Sequence, residues 1–309
     1  MTKPSFAGLP HSDLSDLSGV TAAVIGIPEA SPYEPIAPSH SAAAPAAIRA
    51  GSVRFGRIVQ HFDFDSNGPL IDPSDGLRVV DCGDLEVKPE TAEENRAAIT
   101  RAIGTMLDAG TVPIVLGGDD SVPIPVFAAY EGRGDLTILQ IDAHADWGDS
   151  IRGNPYGYGS TMRRASECPC VRGIVQVGLR GLGSGEASQI DDARNWGARL
   201  ITARDIRRHG VDQALSLIPS DADVLLAIDC DGIDPAVFPA VNMPTPGGLD
   251  YHDVLEIVHG IAGRARLAGC CLVEFVPEAD RDGLSALTAA GIVRNVIAAI
   301  RSNPARQRG

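Results

Sequence analysis

The sequence predicts an α/β chain built on a mainly parallel sheet with helices on both faces, and three observations carry that reading. Short apolar runs alternate with helical patterns along nearly the whole chain. The runs are continuously apolar, as in VTAAVIGI (Val20–Ile27), which marks strands buried on both sides rather than on one. Chemistry-bearing residues then recur directly after these runs, at the strand ends where open α/β sheets bind ligands.

The elements follow in order. Val20–Ile27 is a strand stopped by Pro28, and a long Pro/Ser/Ala-rich loop, Glu29–Pro45, leads to a short helix near Ala46–Ala50. Leu77–Val80 is a strand closing in Asp81-Cys82-Gly83-Asp84. Thr91–Ala109 has helical periodicity, with Thr91 as N-cap, Glu94 as its capping-box partner and Gly110 as C-cap. Val112–Leu116 is a strand followed by Gly117-Gly118-Asp119-Asp120-Ser121, and Leu136–Ile141 a strand followed by an acidic loop. Gly173–Leu179 is a strand, Glu186–Gly197 a helix, Arg199–Thr202 a short strand and Val211–Ile218 a helix. Asp223–Ile228 is a strand ending at Asp229-Cys230-Asp231; Asp250–Ala262 is a helix, Leu267–Phe275 a strand and Ala286–Ser302 a final amphipathic helix. No repeat or linker divides the chain, so one domain spans 1–309, with 1–19 as an irregular N-terminal arm.

Composition narrows the function. With 44% hydrophobic and 21% charged residues the chain can bury a substantial core, and disorder is excluded. A net charge of −14 disfavours nucleic acid and anionic membrane and mildly favours a cationic substrate. No run approaches the ~20 apolar residues of a membrane span, and MTKPSFAGLPHSDLSD lacks the apolar stretch of a signal peptide. The six cysteines, at 82, 168, 170, 230, 270 and 271, form no disulfide framework, which points to reduced thiols in the cytoplasm. Cys168 and Cys170, one residue apart, make an incomplete metal or redox site.

The chemistry concentrates in LQIDAHADWGD, Leu139–Asp149. Asp142, His144 and Asp146 are spaced by two, so in an extended segment their side chains point one way while Ala143 and Ala145 face the packed side. Carboxylates with an imidazole suit a borderline or hard divalent cation. Asp229 and Asp231 repeat the spacing, with Cys230 turned back into the core. Buried acids in this number stay ionised only if cations neutralise them, and two bridged divalent ions would do so while activating a water.

Five ordered blocks now carry a resemblance: GGDDS (Gly117–Ser121), DAHAD (Asp142–Asp146), DCDGIDP (Asp229–Pro235), PTPGGL (Pro244–Leu249) and VEFVP (Val273–Pro277). From about Val20 onward the chain resembles the ureohydrolase family of arginases, agmatinases and other guanidino hydrolases, and within it the agmatinase-like branch, judging from DAHADW and the STMRRA run. The resemblance implies a three-layer α/β/α sandwich of arginase-like type with a pair of Mn²⁺ ions at the sheet rim, Ni²⁺ or another transition metal being the alternative. It implies one ion on Asp142, His144, Asp229 and Asp231, and the other on Asp142, Asp146, Asp229 and Asp120. Glu274 would hold the substrate guanidinium by bidentate pairing. A metal-bridging hydroxide would attack its carbon and release urea and an amine, with Asp142, Asp146, Glu274 and Tyr158 as the catalytic set. Agmatine is the default substrate, with guanidino acids, free guanidine or a formimino compound as alternatives. A trimer or hexamer of identical chains is expected.

Three departures stand out. The family has histidine where this chain has Asp120, so the five aspartates at 120, 142, 146, 229 and 231 carry −5 against +4 from two divalent ions. A family histidine thought to pass a proton to the leaving amine is Tyr158 here, which with a hydroxyl pKa near ~10 either donates poorly or lines the pocket. The usual entrance loop reads SPYEPIAPSHSAAAP (Ser31–Pro45), placing His40 as a candidate substrate contact and Glu29 and Glu34 as candidates to face a cationic tail. Asp120 and Tyr158 also motivate a second reading, a catalytically impaired relative acting as an oligomeric binding or structural protein.

Overall fold

The computed structural model describes residues 4–72, 74, 76–183 and 185–303. Its strands are β1 (Ala22–Ile27), β2 (Val79–Asp84), β3 (Val112–Gly117), β4 (Leu136–Ile141), β5 (Val171–Leu179), β6 (Arg199–Thr202), β7 (Asp223–Asp229) and β8 (Arg266–Val273). They form one sheet in the order β2-β1-β3-β8-β7-β4-β5-β6, with every neighbouring pair parallel. The chain lays down one flank, crosses over to build the other, and only then returns to insert β7 and β8 in the middle.

The helices are α1 (Ala44–Ser52), α2 (Ala92–Asp108), α3 (Pro123–Ala128), α4 (Thr161–Glu167), α5 (Ala187–Trp196), α6 (Ala203–His209), α7 (Asp212–Leu215), α8 (Tyr251–Ala262) and α9 (Leu284–Arg301). Alternate strand residues feed two separate cores. Val24, Ile114, Leu226 and Leu272 pack with apolar residues of α1, α6, α7, α8 and α9. Ile25, Val115, Leu225 and Cys271 pack with those of α2, α3, α4 and α5 on the other face. This two-sided burial is why the strands read as unbroken apolar runs, and it makes the three-layer sandwich. Residues 4–19 hold a 3₁₀ turn, Phe6–Gly8, and a single bridge from His11 to Asp81, yet Phe6 is fully buried in one core and Leu17 packs into the other.

Among the described residues, α9 is long and apolar enough to span a membrane, but most of it is buried against the sheet and its neighbours. Its composition is that of a core helix.

Local differences from the sequence reading have physical causes. Thr91 caps α2 without the expected box: its hydroxyl donates to Asn95 Oδ1 (3.1 Å) and to the Lys88 carbonyl (3.3 Å), so no side-chain cap bond forms. The helix expected at Val211–Ile218 is the short α7. Three helices, α3, α4 and α6, went unpredicted. The prolines of α3 at 123 and 125 lie in its first turn, where they are tolerated, but they read as loop. The signal for α6 was present, since Thr202 and Asp205 form a reciprocal capping box.

Candidate active site

Four adjacent central strands, β3, β8, β7 and β4, end on the same rim. Asp119 and Asp120 follow β3, Glu274 follows β8, Asp229 closes β7 with Asp231 just beyond, and Asp142, His144 and Asp146 follow β4. Residues far apart in sequence therefore share one cavity, lined by Asp120, His144, Asp146, Tyr158, Asp229, Asp231 and Glu274 together with Asn242 and Met243.

Their convergence is not that of extended strands. β4 stops at Ile141, and the chain bends so that Asp146 adopts φ 54°. Glu274 likewise takes φ 63° directly after β8. Left-handed backbone at a non-glycine residue costs on the order of 1–3 kcal/mol and persists where surrounding contacts enforce it. At the end of β7 the Asp229 carboxylate accepts the Asp231 N–H (2.7 Å), turning Cys230–Gly232 into a 3₁₀ turn. The expected inward placements hold: Ala143, Ala145 and Cys230 are buried in full. A Cβ on Gly232 would sit 2.6 Å from the Asp142 nitrogen, so only glycine lets the two acidic loops touch.

Two ligand groups result. One ligand atom each from Asp142, His144 and Asp231 lies within 4.8 Å of the others, and the same is true of Asp120, Asp142 and Asp229. Asp142 belongs to both. Compared with the expected sets, Asp229 falls in the second group alone, and Asp146 stands beside them, outside either compact trio. His144 Nδ1 is 3.1 Å from Asp231 Oδ2 and 3.5 Å from Asp142 Oδ1.

The donor set fits divalent cations. Both carboxylate oxygens of Asp120 are buried with no hydrogen-bond partner among the described residues, a costly arrangement unless something positive meets them. Burial first, and then the charges of the neighbouring carboxylates, hold Asp120, Asp142 and Asp229 well above the usual carboxylate range. Burial pushes Asp146 up to about 6. Burial works to lower His144, but the hydrogen bond and charge of Asp231 outweigh it and bring it to about 9. Carboxylates forced to keep protons are a site built for cations that replace them.

A supporting network, unread in the sequence, orients Asp142. Gln140 Nε2 donates to Asp142 Oδ2 (2.7 Å), Gln176 Nε2 donates to Gln140 Oε1 (2.6 Å), and Trp147 Nε1 donates to Gln176 Oε1 (2.8 Å). All three donors are buried. The two-residue spacing of Gln140 to Asp142 was the available signal, but Gln140 lay inside an apolar strand and was passed over. Arg180 braces the other loop, its guanidinium donating to the carbonyls of Asp231 (2.7 Å) and Gly232 (3.0 Å).

Across the cavity, Glu274 is 6% exposed. Its Oε1 accepts the Asp120 N–H (2.9 Å) and its Oε2 pairs with His40 Nε2 at 2.5 Å. Sequence reading named Glu274 and His40 as separate contacts; in the structure they touch each other. Burial draws His40 down and the Glu274 carboxylate more than restores it, leaving its pKa above the usual imidazole value. The His40 ring stands edge-on to Tyr158, centroids 5.7 Å apart. Burial raises the Tyr158 hydroxyl above its usual value, with the charge of Glu274 acting in the same direction. Of the two loop glutamates, Glu34 is exposed. Glu29 is buried beneath the loop, accepts the Ser39 N–H (2.8 Å) and is pushed by burial up to about 7.

Fold and rim together define a class: three-layer α/β/α proteins with an acidic cluster of candidate metal ligands at the strand ends. Comparison with known proteins narrows it. The model of the arginase family matches residues 21–299. A guanidinobutyrase of Pseudomonas aeruginosa is 30% identical over 95% of this chain and 93% of its own length. A mitochondrial agmatinase of Gallus gallus is 30% identical over 81% of this chain and 72% of its own. Among solved structures, the proclavaminate amidino hydrolase of Streptomyces clavuligerus superposes with a TM-score of 0.83 at 25% identity, covering 98% of each chain. The chain belongs to the arginase family, and it is an amidinohydrolase.

Proposed function

We propose that this amidinohydrolase releases urea from a small guanidino compound whose planar cation is held by Glu274. One observation carries the reading: a buried carboxylate, fixed by the Asp120 main chain, faces the same cavity as two carboxylate-rich ligand groups. Asp120, Asp142 and Asp229 would hold one divalent ion and Asp142, His144 and Asp231 the other, with Asp146 beside them and Mn²⁺ or Ni²⁺ as the metal. When bound, such ions supply the charge that keeps the carboxylates ionised and the Lewis acidity that activates water.

The chain's own residues do the rest. Glu274 pairs with the guanidinium and sets its carbon against the acidic cluster. His40, a quarter exposed on its loop, yields one Glu274 oxygen to the incoming cation and stays beside the leaving nitrogen. A water oxygen adds to the guanidinium carbon and the C–N bond to the tail breaks; both protons of that water pass to the departing nitrogen, which leaves as an ammonium, and urea carries the oxygen. Tyr158 stays protonated near neutral pH, so it lines the pocket and donates a hydrogen bond rather than relaying protons. The partnerless oxygens of Asp120 favour a carboxylate kept as a ligand over a site that has decayed.

Agmatine, the expectation from sequence, and the ω-guanidino acids share the guanidinium end and differ only in tail charge. The free cysteines support a reducing, cytoplasmic setting. The exposed apolar residues Val53, Ile58, Phe62 and Phe64 support self-association as a trimer or hexamer.

The test is urea release from agmatine, arginine, 4-guanidinobutyrate, 3-guanidinopropionate and guanidine after loading with Mn²⁺ or Ni²⁺. We expect turnover of at least one, and loss of roughly 100-fold or more in Glu274→Gln, the size of a lost charge-assisted pair, with the metal still bound. Silence across the panel with both metals, or a Glu274→Gln protein with undiminished turnover, contradicts the proposal.

A further inference from the structure

We infer that Arg152 receives the carboxylate of an ω-guanidino acid and so selects an anionic tail over the cationic tail of agmatine. The inference rests on Glu274 as the guanidinium end, as proposed above, and names the other end of the same site.

A line of rings leads from one to the other. His40 sits on Glu274, its ring lies 5.7 Å from that of Tyr158, and Tyr158 lies 4.4 Å from Tyr33. The Arg152 Cζ is 5.7 Å from the centroid of the Tyr33 ring. The Tyr158 hydroxyl lies in the opposing fields of Glu274 and Arg152. Tyr158 lines the cavity that Glu274 faces, Tyr33 stands against Tyr158, and Arg152 is exposed beyond Tyr33, so a tail leaving Glu274 along this row of rings would meet Arg152 at its outer end.

The segment carrying Arg152 is held in place. Ile151 and Asn154 bond to each other's main chain, which makes Arg152 and Gly153 the tip of a tight turn. Asn154 Nδ2 donates to the Ser31 carbonyl (3.1 Å), and the Gly159 N–H donates to the Tyr33 hydroxyl (3.1 Å), tying this segment to the entrance loop. A Cβ on Gly157 would collide with the Tyr33 ring, so the ring fits only over glycine. Within this frame Arg152 itself adopts φ 52°, a conformation that a β-carbon makes costly.

Arg152 is also a cation without an acid partner among the described residues. No carboxylate lies within 4.0 Å of it among the described residues, in a chain where Asp and Glu outnumber Lys and Arg by 40 to 26. Two other cations near this rim are occupied: Arg96 lies 4.1 Å from the Tyr156 ring centroid and donates to Ser31 Oγ (2.9 Å), and Arg180 donates to the Asp231 and Gly232 carbonyls. The Tyr33 face supports the Arg152 guanidinium without using its N–H fork, which leaves the fork for a planar anion. A second cation arriving there is repelled.

Calorimetry on the metal-loaded full chain, with 4-guanidinobutyrate and agmatine as probes and urea release measured in parallel, tests this in wild type, Arg152→Glu and Arg152→Gln. We expect wild type to bind 4-guanidinobutyrate more tightly than agmatine. Arg152→Glu should weaken 4-guanidinobutyrate by at least about tenfold and tighten agmatine, with Arg152→Gln between. A damaged turn would weaken both ligands alike, so equal weakening overturns the assignment, as does an unchanged 4-guanidinobutyrate affinity, a wild-type preference for agmatine, or failure to bind either. Opposite shifts in binding with no urea from any compound would keep Arg152 and overturn the hydrolytic reading instead.

Discussion

Asp120 sets the charge of the cluster. Its oxygens are buried and partnerless, and with it five aspartates face a site that two divalent ions neutralise only to −1. Uncompensated buried charge is expensive, so Asp120→His should tighten retention of the second ion by about tenfold or more, read by metal titration of the metal-free protein. The contact that fixes Glu274 comes from the main-chain N–H of residue 120 and survives the exchange. Weaker retention, or collapse of activity with the native metal, would show instead that the full charge of this carboxylate ligand is needed to hold the ion. Most of this cluster was legible as residues: the two-residue spacing of Asp142, His144, Asp146 and of Asp229, Asp231 singled out side chains that the structure brings together. The reason was misread, because their convergence comes from a left-handed Asp146 and a 3₁₀ turn after Asp229, and dihedral angles leave no trace in spacing. Gln140 and Gln176 were missed because both lie inside apolar strands, and the bond that joins them spans two strands.

At the scale of elements, the strand ends hold their acids at a cost that depends on pH. In the metal-free protein the raised Asp120, Asp142, Asp146 and Asp229 bind protons that the unfolded chain has already released, so folding stability falls as pH climbs above ordinary carboxylate values, through about 6 for Asp146. His144, raised to about 9, contributes stability below its unfolded pKa that is lost as pH rises through that value, the same direction. Bound cations replace these protons. The gap in melting temperature between metal-loaded and metal-free protein should therefore widen from pH 5 to pH 8, by at least about 5 °C, in paired thermal melts. A constant or narrowing gap would contradict the assignment of these groups as ligands. Strands buried on both faces were readable because most of their positions are apolar, and all eight were placed to within a few residues. Some short helices were not, since α3 hides behind its prolines and α4 offers too few turns for a period to show, while α7 was read but drawn too long.

At the scale of the molecule, topology makes the site. Inserting β7 and β8 between β3 and β4 brings four acidic strand ends side by side, an order that local periodicity does not encode and that the sequence disclosed only through its ordered blocks. The account stands on those ends acting as one centre, with Asp142 common to both ligand groups. The most direct measurement is metal content per chain, with urea release, for wild type and Asp142→Asn after identical loading. The account expects two ions per wild-type chain and, in the variant, loss of both ions together with the activity. A variant that keeps two ions, or that loses one and still releases urea, would contradict it.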